Sequence, residues 1–189
     1  MKDTLIKKWK ELEIYHGVIY FMILLTVCHF FWKFSVKEVS PYEINFFQWD
    51  VSQPFFKMTT HIRNVTSHVL YDWLNFDLHV HKNSIHYSNG NVVHIVWSCS
   101  GIKQMYIFFC LIFFYKNNWL HKLWYIPLGL FLVYVLNLLR IITLTWLAKD
   151  HMPYVDIFHN YILKYLFYAI IFFLWLFWEE KFNKRTKIK

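Results

Sequence analysis

Residues 123–147 read LWYIPLGLFLVYVLNLLRIITLTWL, an apolar stretch whose only charge is Arg140. A helix needs roughly 20 residues to cross the hydrocarbon core of a bilayer. A buried helix of a soluble protein is seldom this long and apolar on every face. Working outward, three further apolar runs of comparable length appear: Ile14–Trp32, Trp97–Tyr115 and Ile157–Trp178. The pattern predicts an all-α integral membrane protein, one membrane-embedded domain over 1–189, with four transmembrane helices at about 14–32, 97–115, 123–147 and 157–178.

Composition agrees. Of 189 residues, 57% are hydrophobic and 23% aromatic, while only 17% are charged, against about 25% charged in a soluble domain. This excludes an ordinary soluble core, and the aromatic content excludes disorder. Mean hydropathy is only +0.28, so part of the chain lies outside the bilayer. The three cysteines, Cys28, Cys99 and Cys110, form no CxxC pair, which points away from a disulfide framework and a thiolate zinc site.

The net charge of +8 raises nucleic acid as a partner, but the distribution argues for topology instead. Eleven basic residues (Lys2, Lys7, Lys8, Lys10, Lys116, Lys122, Lys181, Lys184, Arg185, Lys187 and Lys189) fall on one side of the spans. Six fall on the other: Lys33, Lys37, Lys57, Arg63, Lys82 and Lys149. The positive-inside rule then places both termini in the cytoplasm of a multi-pass protein of the cell (inner) membrane. No nucleic-acid partner is expected. The first run is longer than a ~7–15-residue signal core and no small-x-small site follows it, so it reads as a retained anchor.

The segment 33–96 is the one sizeable polar part, expected outside the membrane. Ser52 and Pro54 mark a helix start. Phe55, Met58, Ile62, Val65, Val69 and Trp73 follow in steps of three or four. This predicts an amphipathic helix, lying at the interface or packed on the other spans. The period then becomes two, with Phe76, Leu78 and Val80 alternating with polar residues. Asn89-Gly90 is a turn signal before Val92–Trp97, so a small β-meander is expected.

Ionisable groups within apolar spans mark function by default. Arg140 lies deep in its run with Asn137 three residues earlier, on one helix face. The alternative is an arginine that snorkels to the headgroups. Cys99 opens the second run in Trp97-Ser98-Cys99-Ser100-Gly101-Ile102-Lys103. A helix start and the charge of Lys103 favour a thiolate there. Gly101 admits a close backbone approach, and the amides of Ser100 and Gly101 are candidate oxyanion donors. The alternative is an inert buried thiol, the reading given to Cys28 and Cys110. His159, near the start of the fourth run, is a candidate general acid or base, or else an interfacial residue. The predicted topology brings Cys99, Arg140 and His159 to one membrane face from three helices, the pattern of a cysteine-nucleophile site.

These motifs resemble the exosortase/archaeosortase family of membrane-embedded, cysteine transpeptidase-like enzymes. The resemblance is carried by Cys99-Ser100-Gly101, Asn137-Leu138-Leu139-Arg140 and His159, over about residues 50–178, and is to the compact members. The chain has Ser98 where the family often has alanine and Lys103 where it often has arginine, and no glycine follows His159. The resemblance implies a cysteine peptidase/transpeptidase with no metal and no cofactor. Its substrates would be proteins ending in a recognition motif, a transmembrane helix and basic residues, processed at the external face. Cys99 would be the nucleophile, Arg140 and His159 its catalytic partners, with Ser100, Gly101, Lys103 and Asn137 in support. The acceptor would be an envelope glycan or lipid, or water.

Two other classes compete. A histidine-ligated metal or haem protein is suggested by eleven histidines, with His79 and His81 on one strand face and His61 and His68 on one helix face. No HExxH or CxxCH accompanies them, and spacing alone is a weak warrant. A non-catalytic membrane subunit of a surface-polymer export system would leave Cys99 unreactive.

Overall fold

The computed structural model describes residues 2–40, 43–115 and 119–183, with side chains for 17–40, 43–115 and 119–181. Helix α1 runs Lys2–Ser35, α2 Ser52–His68, α3 Ile102–Phe114 and α4 Trp119–Asp150. Helix α5, Met152–Ile157, continues through a wide π-type turn at Phe158–Ile162 into α6, Leu163–Trp178. Gly17–Ser35, Trp119–Asp150 and Met152–Lys181 are long and apolar enough to cross a membrane. The chain is a membrane protein.

The run expected at 97–115 is cut differently. Only Ile102–Phe114, 13 residues, is α-helix. Trp97–Ser100 form a 3₁₀ turn, and Gly101 at φ 76° stops the helix from extending back to Trp97. Thirteen residues reach about 20 Å, short of a hydrocarbon core of about 30 Å. Among the described residues three helices therefore meet the length for crossing. The side chains of Lys2, Lys7, Lys8 and Lys10, and residues Lys116, Lys184, Arg185, Lys187 and Lys189, on which the expected orientation rests, lie outside the described residues.

Helices α1, α3, α4 and α6 pack around Phe21, Ile107, Phe108, Leu111, Val133, Ile171 and Trp175. Gly129 of α4 has no side chain because the ring of Phe108 fills that space, and a methyl group there would overlap it. Lys122 Nζ donates to the Phe113 carbonyl at 2.7 Å and ties the far end of α3 to α4.

The polar segment folds as a module at one end of these helices. The expected meander is present: β4 (Leu78–His81), β5 (Ser84–Tyr87) and β6 (Val92–His94) form one antiparallel sheet in that order. Gly90, at φ 89°, makes the turn between β5 and β6. A second sheet was not expected. It comprises β1 (Val36–Ser40), β2 (Glu43–Phe46) and β3 (Trp49–Asp50), with Ile44 buried against Trp32, Val36 and Phe55. The fold is thus mostly helical with two small sheets. Helix α2 buries Phe55, Thr59, Ile62 and Thr66 against the protein, while Trp73 is 77% exposed. It is a packed helix, and its apolar stripe does not extend to Trp73.

The length of α4 fixes the depth of everything else. Its 32 residues reach about 48 Å. From Trp119 to Arg140 is about 32 Å, one hydrocarbon core. The remaining turns, Ile141–Asp150, lie inside the module. Tyr87 Oη donates to the Thr145 carbonyl, and Asn91 Nδ2 donates to the carbonyls of Ala148 (3.0 Å) and Lys149 (2.8 Å). Ile141 and Ala148 are buried with Ile62, Leu70, Leu78, Ile85 and Ile95 in a second core.

Candidate active site

Cys99 sits in the 3₁₀ turn between β6 and α3. Its N–H donates to the Val96 carbonyl at 2.9 Å. Its carbonyl accepts from Asn137 Nδ2 of α4, also at 2.9 Å. Asn137 is fully buried, and its Oδ1 is a buried acceptor with no hydrogen-bond partner. The same side chain explains Gly101: a Cβ there would lie 2.8 Å from Asn137 Nδ2 and 2.9 Å from its Cγ. Gly101 is therefore needed twice, for its left-handed φ and for the asparagine packed against it. Cys99, Gly101 and Asn137 form one tightly keyed junction between the turn and α4.

The half-buried Cys99 side chain faces protein. It packs against the module's core, as do Met58 of α2 and Leu138 of α4. The ring of Phe55 stands edge-on to Trp97 at 5.7 Å, holding α2 over the turn. The charge of Arg140 acts on the Cys99 thiol, which also hydrogen-bonds with Ser98. Arg140 lies one turn from Asn137 on α4. Its guanidinium interacts electrostatically with Cys99 and with Tyr168 of α6, and its Nε is buried with no hydrogen-bond partner. The junction thus joins a thiol and an unpaired guanidinium edge, and the guanidinium is a donor able to stabilise negative charge as it forms.

The other expected residues distribute unevenly. Ser100 is buried, and its hydroxyl accepts weakly from the Ile102 N–H at 3.4 Å. Helix α3 begins at Ile102, just after Ser100 and Gly101. Lys103 has Lys164 and Lys33 as its charged neighbours, whereas the charged neighbour of Cys99 is Arg140. His159 lies in the π-type turn before α6, and its Nδ1 meets Oδ1 of the adjacent Asn160 at 3.2 Å. The structure brings Cys99, Gly101, Asn137 and Arg140 together; among the described residues no hydrogen bond joins His159 to them.

Tyr168 was missed by sequence reasoning. It reads as one more aromatic in the run Leu166-Phe167-Tyr168, and only the packing of α6 beside α4 sets its hydroxyl in the field of Arg140. His61, named only for the competing metal reading, has a different setting. Its Nε2 meets Tyr134 Oη of α4 at 2.8 Å, with the rings stacked, so it docks α2 on the membrane helices. His68 pairs with Asp72. Among the described residues no three His, Cys, Asp or Glu side chains converge on a point where a metal would sit.

Comparison with known proteins gives one result. Residues 17–178 match the family described as transmembrane exosortase. No curated protein and no solved structure matches the chain.

Proposed function

The chain belongs to the transmembrane exosortase family, and on that premise we propose that it is a membrane-embedded cysteine peptidase/transpeptidase acting at the module-side face. The observation that carries this reading is the junction of Cys99, Asn137 and Arg140. The turn bearing the thiol is bonded to α4 one helical turn from an arginine whose charge acts on that thiol. Inert cysteines lie in apolar surroundings without such a partner.

The proposed substrate is an exported protein with a C-terminal motif, a transmembrane helix and a basic end. Its helix lies in the bilayer, so its motif meets the boundary at the level of Arg140. The thiol proton of Cys99 passes to an imidazole, assigned to His159. The sulfur then attacks the carbonyl carbon of the scissile peptide, forming a C–S bond. Arg140 balances the negative charge on the tetrahedral oxygen, and Asn137 holds the turn still. Collapse breaks the C–N bond, and the leaving amine takes the proton from the imidazolium. A hydroxyl or amine of an envelope glycan or lipid, or water, then attacks the thioester and releases the thiol. In this reading the module faces the outside of the inner membrane, both termini are cytoplasmic, and α3 with its 3₁₀ turn completes a fourth crossing.

The test is co-expression with a tailed substrate, following loss of the tail by mass. Cys99→Ala should abolish processing, and hydroxylamine should release a thioester-linked product from the parent enzyme only. Arg140→Gln should reduce processing by roughly 10²–10³-fold, as for loss of an oxyanion partner. His159→Ala is compared with His61→Ala to assign the imidazole. Undiminished processing by Cys99→Ala would remove the nucleophile and the mechanism with it.

A further inference from the structure

Four basic side chains gather at the module-side boundary. His29 and Lys33 lie one turn apart near the end of α1, Lys103 in the first turn of α3 and Lys164 in the first turn of α6. Helix packing sets them side by side. Phe31 and Trp32 of α1 both lie against Tyr106 of α3, with ring centroids 6.4 and 5.2 Å apart, which puts Lys33 next to Lys103. One turn deeper, Ile107 of α3 and Phe167 of α6 share the main core, which puts Lys103 next to Lys164. His29 lies in the field of all three lysines, and Lys103 in the field of the other two.

Among the described residues no carboxylate forms an ion pair with them. Asp72 pairs with His68 on α2. Glu38, the acid nearest Lys33 along the chain, instead accepts from Trp97 Nε1 at 2.7 Å. Lys33 and Lys164 are exposed and Lys103 is half-buried. Like charges at a low-dielectric boundary repel strongly, and an anion among them reverses the sign of that energy.

Depth indicates which anion. Lys33 is two residues from the end of α1. Lys103 follows Gly101, which lies at the level of Asn137, so it is within about 8 Å of the boundary set by Arg140. Counting about 20 residues back from Lys181 puts the boundary of the last helix near Tyr161, about 5 Å from Lys164. All three ammonium groups can snorkel to headgroup level. Exposed Phe31, Phe34, Phe47 and Trp49 stand beside them at the junction of α1 and the first sheet, the aromatic collar expected where lipid meets water.

We propose that His29, Lys33, Lys103 and Lys164 form a binding site for the phosphate of an anionic phospholipid headgroup, seated between the ends of α1, α3 and α6. The site is separate from the cysteine chemistry: it stands or falls on lipid binding, whatever Cys99 does.

The experiment titrates the purified full-length chain, in a neutral detergent, with short-chain phosphatidylglycerol or phosphatidylcholine, and counts bound lipid by native mass spectrometry. One phosphatidylglycerol should bind in preference to phosphatidylcholine. Each of Lys33→Gln, Lys103→Gln and Lys164→Gln should weaken it about fivefold, and the triple variant about a hundredfold. Lys57→Gln, on α2, should bind as the parent does. The triple Lys→Arg variant guards against misfolding and should retain the lipid. Equal binding of both lipids, retention by the triple Gln variant, or equal loss in the triple Arg variant would each overturn the proposal. Displacement of the lipid by inorganic phosphate at matched concentration would also overturn it, by assigning the site to a free anion.

Discussion

Gly101→Ala tests the junction directly. Two separable costs are expected. The first is conformational: an L-residue at φ 76° costs about 1–2 kcal/mol. The second is steric. The new methyl would sit 2.8 Å from Asn137 Nδ2 and 3.2 Å from its Cβ, and Asn137 is fully buried with nowhere to swing. The amide must withdraw, breaking its bond to the Cys99 carbonyl, and a buried group left unpaired costs about 1–3 kcal/mol. The sum is about 2–5 kcal/mol. Gly90→Ala supplies the control, because Gly90 has φ 89° and nothing within 4 Å of its Cβ position, so it carries only the conformational part. Asn137→Ala supplies the other arm: it already loses the hydrogen bond and removes the obstacle, so Gly101→Ala in that background should fall to about 1–2 kcal/mol. Unfolding in mixed micelles of the two single variants and the double gives a coupling of about 1–3 kcal/mol. Gly101→Ala costing no more than Gly90→Ala, or strict additivity with Asn137→Ala, would refute the proposed contact between the turn and α4.

Two further outcomes follow from the same geometry. The charge of Arg140 acts on Cys99 and a neighbouring cation favours a thiolate, so Arg140→Gln moves thiolate formation to higher pH. In a Cys28→Ser/Cys110→Ser background, the maleimide reaction rate against pH should therefore shift upward in the Arg140→Gln variant; a downward shift would mean the guanidinium does not act on the sulfur. The thiols of Cys28 on α1 and Cys110 on α3 are within hydrogen-bonding contact of each other, and both are buried. Copper-phenanthroline oxidation should link them within one chain and leave Cys99 unlinked, as read by peptide mass. A Cys99-containing link as the main product would contradict the packing of α1 on α3.

What the sequence discloses here is burial by composition, and what it hides is backbone sign and contact across helices. The spans at 123–147 and 157–178 are evident because nearly every residue is apolar, yet α4 is longer at both ends. Its far turns are covered by the module, so Thr145 and Lys149 continue the helix by bonding to Tyr87 and Asn91 where a membrane helix would have stopped. The meander was readable because Asn89-Gly90 is a strong turn signal. The first sheet was not, since Val36–Asp50 mixes charges with aromatics and has no such dipeptide. Thr59 was passed over on α2 as polar; it is fully buried because its hydroxyl bonds back to the Phe55 carbonyl at 3.0 Å. Cys99, Asn137 and Arg140 could be named from type and depth alone, whereas the field linking Tyr168 to Arg140 depends on how α6 lies against α4.

The shortness of α3 and the placing of the thiol are one fact. Asn137 of α4 meets both the Cys99 carbonyl, in the four-residue 3₁₀ turn, and Gly101, just before α3 begins at Ile102. The chain leaving β6 has therefore come down to the level of Asn137 before helical winding starts, about one turn below Arg140. Had the α-helix extended back through Gly101, the Cys99 carbonyl would accept from the amide four residues on in its own helix rather than from Asn137. A left-handed glycine at that point trades regular helix for a side-chain clasp from α4. It sets the cysteine where the helix would otherwise have buried its backbone, within the field of the arginine on the neighbouring rod.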